Sequence, residues 1–196
     1  MLARRVAAAG LVLLAGIAAL RSNPQGDLAE VVVAAHDLTP GATVTSADVR
    51  LEKRLATTVP DGSANLSAVV GSTLASPTRR GEVLTDVRLL GSRLAESTAG
   101  PGARIVPLHL ADSALIDLVR VGDVVDVLAA PATDSRADSH AVTKVVATDA
   151  VVVLVSAKPK VRDADSDRVV LVALPARVAN TVAGSVLGQA VTLTLH

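Results

Sequence analysis

The chain contains no cysteine and no phenylalanine, tyrosine or tryptophan in its 196 residues. Without cysteine there is no disulfide framework, no thiolate nucleophile, no lipid-bearing anchor cysteine and no cysteine-based zinc site. Without aromatic rings there are no π-faces on which to stack sugars or bases, or to cage a methylated ammonium. An excess of either charge is also missing: 19 Lys+Arg face 19 Asp+Glu. That balance argues against nucleic-acid binding, which leaves a basic footprint. What remains is aliphatic. Half the residues are hydrophobic, enough for packed cores of Val, Leu, Ile and Ala. At about 100–200 residues per domain, the length suits one medium domain or two small ones with a tail.

The first residues set the expected compartment. Arg4 and Arg5 precede an uninterrupted apolar run over 6–20, closed by Arg21. This is the layout of a secretory signal. Two outcomes are open, a cleaved signal peptide or a retained single-span anchor. Small residues such as Gly16 and Ala18 offer cleavage, but Leu20 and Arg21 follow at once, which favours the anchor. The basic pair lies on the amino-terminal side, so the positive-inside rule keeps the tail cytoplasmic and sends the rest outward. The expectation is a cell-membrane protein with one N-terminal transmembrane helix and its C-terminal domains extracytoplasmic.

Composition divides the remainder. Residues 1–27 form the membrane segment and a polar spacer. Residues 28–91 form a first module, 92–102 a flexible linker ending in Gly100-Pro101-Gly102, and 103–196 a second module. In the first, short apolar runs alternate with Pro/Gly turns. An apolar run at 31–35 leads to a turn at Leu38-Thr39-Pro40-Gly41. A half-buried strand is expected at Val49–Leu55, and a closing strand at 87–90. The second module predicts a strand at 104–110, a short helix at 114–119 and a tight turn at Val121-Gly122-Asp123. Strands at 124–128, 142–147, 151–156 and 169–174 follow, then a helix from Pro175 to about Leu187 and a last strand at 191–195. The fold class is mainly β with minor α, the second module being α+β.

The chemistry-bearing residues assemble into no active site. His36, His109, His140 and His196 are scattered, without an i,i+4 pair or a His-Glu-x-x-His motif. Asp163, Asp165 and Asp167 alternate like part of a calcium loop, but the glycine and distant glutamate are missing. Asp123 is explained by its turn and Asp126 by an outward strand position. Gly184-Ser185-Val186-Leu187-Gly188 places its second glycine one residue too far for a nucleophile elbow. Neither an enzyme nor a cofactor is expected.

The segment Val31-Val32-Val33-Ala34-Ala35-His36-Asp37-Leu38-Thr39-Pro40-Gly41-Ala42, with Val69-Val70-Gly71 and Pro77-Thr78-Arg79-Arg80-Gly81-Glu82-Val83-Leu84, resembles the SAF domain, a β-clip module. Val106-Pro107-Leu108, the stretch around Gly122 and Asp123, and the closing strand–helix–strand are similar to the C-terminal domain of the Flp/Tad pilus assembly CpaB/RcpC family. Val121 takes the place of the proline usual there before Gly-Asp. The resemblance implies an N-terminal transmembrane helix, a β-clip SAF domain and a small α+β CpaB/RcpC-like domain. It implies a membrane-anchored, extracytoplasmic adaptor of a pilus or secretion assembly. The alternatives are a chaperone like the flagellar P-ring protein FlgA, or an accessory protein binding envelope sugar acids or glycans. The implied partners are the membrane and other pilus or secretion components, with self-association left open. The turns expected to contact a partner hold Asp37, Pro40, Gly41, Arg79, Arg80, Gly81 and Glu82, while Gly122 and Asp123 form a structural turn.

Overall fold

The computed structural model describes residues 2–21, 27–131, 143–158 and 168–195. Helix α1 spans Leu2–Arg21, and it corrects the first expectation. Among the described residues, no helix is long and apolar enough to cross a membrane. Arg4 and Arg5 occupy the first turn of α1 and leave an apolar run of 15 residues. At 1.5 Å per residue that run covers about 22 Å, against roughly 30 Å of hydrocarbon.

The first module is stitched rather than sheeted. Strands β1 (Leu28–Ala34) and β2 (Val49–Leu55) pair antiparallel, from Leu28 opposite Leu55 to Ala34 opposite Val49. All other pairing consists of single bridges: Val33 to Val83, Leu38 to Thr78, Thr43 to Thr73, Ser63 to Thr85 and Leu74 to Leu89. The four-residue helix α2 (Leu66–Val69) is capped by Asn65, whose Oδ1 accepts from Ala68 N–H at 2.9 Å. Val32, Val44, Val49, Val69, Leu74, Leu84 and Leu89 close into one core. The closing strand expected at 87–90 is instead a 3₁₀ turn at Asp86–Arg88 followed by the lone Leu89 bridge.

The expected linker is not extended coil. Ser92–Ala99 forms helix α3, buries Ala95 and packs on the sheet that follows. Thr98 Oγ1 donates to the Leu94 carbonyl at 2.7 Å, and Gly100 ends the helix. Where α3 meets that sheet, an apolar cleft of about 400 Å³ is lined by Leu90, Ala95, Ile105 and Leu171.

The second module is a five-stranded, wholly antiparallel sheet. Its strands are β3 (Arg104–Leu108), β4 (Val124–Pro131), β5 (Lys144–Val155), β6 (Val170–Leu174) and β7 (Gln189–Leu195), in the order β3-β6-β5-β4-β7. Helix α4 (Ala176–Val186) lays Ala179 and Val182 on a core that includes Val106, Leu108, Val125, Val127, Val152, Val172 and Leu193. Pro107 sits on β3, an edge strand, where proline is tolerated. The short helix expected at 114–119 is a 3₁₀ turn at Ser113–Asp117, capped by Asp112. The two strands expected around 149 are one 12-residue strand. Asp149 passes through it at φ +56°, its N–H held by Asp126 Oδ1 at 3.2 Å, as the pairing skips from Val125–Ala150 to Val127–Ala147. The gap left between the two expected strands is a bulge, which an aspartate in the left-handed region accommodates.

Candidate functional site

Two turns 42 residues apart in sequence meet at one corner of the first module. Beyond β1 the chain reaches His36 and Asp37. Leu38 and Thr78 then exchange both backbone hydrogen bonds, at 2.8 and 3.1 Å, which draws the second turn alongside the first. The Asp37 carboxylate closes the junction. Its Oδ1 accepts the Arg80 backbone N–H at 2.9 Å and its Oδ2 accepts from the Arg79 guanidinium at 2.6 Å. The Arg80 N–H first, then Arg79, hold its carboxyl below the usual 3.8.

The second turn is fixed from every side. Gly81 takes φ +81°, a conformation costing a side-chain-bearing residue about 1–2 kcal/mol. Its N–H donates to the Ala34 carbonyl at 2.8 Å, and its own carbonyl accepts from Arg54 at 2.7 Å. Glu82 turns back to accept the Arg79 N–H at 3.0 Å and pairs with Arg88, which also reaches Ser76 Oγ at 2.9 Å. In the first turn, the residue after Pro40 is tied down as well, since Gly41 N–H donates to the Leu74 carbonyl at 2.7 Å.

On the other flank of Asp37, His36 Nε2 lies 3.0 Å from Asp48 Oδ1 and its Nδ1 lies 3.0 Å from the Asp37 carbonyl. Asp48 Oδ2 accepts both the backbone N–H and the hydroxyl of Thr45, each at 2.7 Å. A shallow cleft of about 150 Å³ opens here, lined by His36, Asp37, Thr39, Thr43 and Asp48, with Leu74 beneath. The Asp37 carbonyl, then Asp48, raise the His36 pKa above 6.5. Thr45, then His36, hold Asp48 below 3.8.

These shifts set a pH window. The His36 contacts contribute fully below pH 6.5 and fade as pH rises through the raised midpoint. The Asp37 and Asp48 contacts contribute fully above 3.8 and are lost as pH falls through their lowered midpoints. In an NMR titration, the His36 ring is therefore expected to titrate above 6.5. Asp48→Asn should bring it part of the way back, because the larger cause, the Asp37 carbonyl, stays in place. A midpoint at or below 6.5 in the parent protein would refute the arrangement.

The structural turn lies in the second module. Gly122, at φ +96°, donates its N–H to the Val152 carbonyl at 2.8 Å, and Asp123 Oδ2 accepts the Arg120 N–H at 2.7 Å. Asp123 and Asp126 are thus both acceptors in the backbone framework. His109 is exposed just past β3. His140, His196, Asp163, Asp165 and Asp167 lie outside the described residues. Among the described residues, no cluster of three or more His, Asp or Glu side chains could hold a metal ion. The Thr45 hydroxyl donates to Asp48 rather than to the imidazole, so this corner holds no hydroxyl–imidazole relay. Its chemistry is to fix and present charged side chains.

Sequence reasoning found both turns but not what joins them. Arg54 lies 27 residues from Gly81, and Asp48 lies 12 from His36. No local spacing encodes either pair. The one available signal was Arg54 on a strand that alternates charged and apolar residues.

Residues 29–90 match the model of the SAF domain. No curated protein and no solved structure matches the chain.

Proposed function

We propose that this protein is a non-catalytic adaptor acting outside the cytoplasm, in a pilus or secretion assembly of the Flp/Tad type. The observation that carries the proposal is an SAF domain at residues 29–90 in which Asp37 locks the turn after β1 to the turn at 79–82. An SAF domain points to pilus or flagellar assembly or to carbohydrate binding. For this chain the first is favoured. The cleft at the corner holds about 150 Å³, below the roughly 300–1,000 Å³ of small-molecule pockets. The sequence also has no aromatic ring to stack on a sugar. The basic pair Arg4 and Arg5 ahead of an apolar run supports export.

Affinity capture tests the proposal. Tagged full-length protein, isolated from envelope extracts after mild crosslinking, is expected to enrich a pilus or secretion component over an unrelated exported control. Enrichment of none, or recovery of the protein from the cytosol alone, would end the adaptor reading.

A further inference from the structure

Every charged group in the turn at 79–82 has a partner except the Arg80 guanidinium. Arg79 is held by Asp37 and Glu82 by Arg88. Arg80 offers only its backbone N–H to Asp37, and its exposed side chain has no partner among the described residues. Its backbone, in contrast, is tightly constrained. Asp37 holds its N–H, and the next residue, Gly81, is bound through both its N–H and its carbonyl. Arg54, whose Nη2 donates to that carbonyl, puts a second guanidinium one residue away.

From this geometry we infer that Arg80 is the anchor that captures a carboxylate, an Asp or Glu side chain of the protein partner; the inference rests on the adaptor function proposed above. Because the turn is already rigid, binding orders no backbone there, and the planar guanidinium fork matches a carboxylate with two parallel hydrogen bonds. Arginine is among the residues enriched at the hot spots of protein interfaces. The surroundings select a single carboxylate over a polyanion. Asp37, Glu52 and Glu82 are interleaved with Arg54, Arg79 and Arg88. A phosphate backbone or an anionic membrane would meet these carboxylates as well as the arginines, whereas one acidic side chain meets Arg80 alone.

The test uses the full-length protein in the envelope capture described above, as wild type, Arg80→Glu, Arg80→Lys and Lys53→Glu. Lys53 is an exposed cation on β2 and controls for charge alone. Arg80→Glu is expected to capture at least tenfold less of the assembly component, with Lys53→Glu close to wild type. Arg80→Lys, treated with a carbodiimide that joins amines to touching carboxylates, is expected to crosslink to an Asp or Glu of that component. Because the exposed Arg80 side chain makes no hydrogen bond or ion pair among the described residues, Arg80→Glu should melt with the parent. Undiminished capture by Arg80→Glu overturns the inference and leaves the adaptor function standing. So does equal loss in Lys53→Glu, or Arg80-dependent binding to anionic vesicles alongside protein capture that Arg80→Glu leaves unchanged. If the wild type captures nothing, the adaptor function itself fails.

Discussion

Leu74→Ala is expected to unfold the first module while the second stays folded. Leu74 is fully buried, touches the only core that module has, and carries backbone bonds to Gly41 and Ala42 on either side of its side chain. Truncating a buried leucine removes its transfer free energy and leaves a cavity, together about 3 kcal/mol. At roughly 0.05–0.15 kcal/mol per residue, a module of this size has only about 3–9 kcal/mol in reserve. The chain has no tryptophan or tyrosine, so intrinsic fluorescence cannot report the change. Amide hydrogen exchange can. Protection should collapse at Val32, Val44 and Leu84 and persist at Val125, Val152 and Val172. Unchanged exchange at Val32 and Leu84 would show that Leu74 is not central to that core.

Val127→Pro should be the most damaging single change in the second module. Val127 is buried on β4, which has a neighbour on each side, Ala147 on β5 and Leu193 on β7. Proline there removes a backbone N–H and puts its ring into a strand paired without a break to β7, a setting in which proline is essentially not found. The buried valine side chain is lost in the same change. The sheet's own prolines stand where they interrupt little, Pro107 on edge strand β3 and Pro131 as the last residue of β4. The expected outcome is loss of far-UV circular dichroism from the sheet together with loss of protection at Val152 and Val172. A second change separates position from residue type. Val127→Ala keeps the N–H and should remain folded with a lowered melting temperature. A well-folded Val127→Pro protein would mean that β4 is not central.

How far the sequence could be read depended on the range of the forces involved. Period-two alternation marks β2, and Val-rich apolar stretches mark β4 and β6, because burial acts residue by residue. Turn chemistry marked Gly41, Gly81 and Gly122 for the same reason. Several elements escaped, and three of the cases show why. Helix α3 was taken for linker because eight residues are too few for a hydrophobic period to register, and only docking against the sheet buries Ala95. The gap between the strands expected at 142–147 and 151–156 falls on Thr148-Asp149-Ala150, because polar residues look the same at a bulge and at a loop until Asp126 is seen opposite Asp149. The N-terminal run has the layout of a signal anchor because a basic pair precedes it, yet its apolar length falls short of a span. At the candidate site both turns were legible. The closure through Asp37, Arg54 and Asp48 was not, since it depends on which distant segments the core brings together.

The single-bridge stitching of the first module also dictates when it can form. Val33 waits for Val83, Leu38 for Thr78 and Thr43 for Thr73. No early portion of this stretch can therefore satisfy its own backbone, and closure over such separations is slow. As the polypeptide emerges residue by residue, β1 must stay unpaired along one side until Val83 and Leu84 arrive, some fifty positions later. A nascent chain stalled before Leu84 should be cleaved readily by protease, and one stalled a short way beyond should resist.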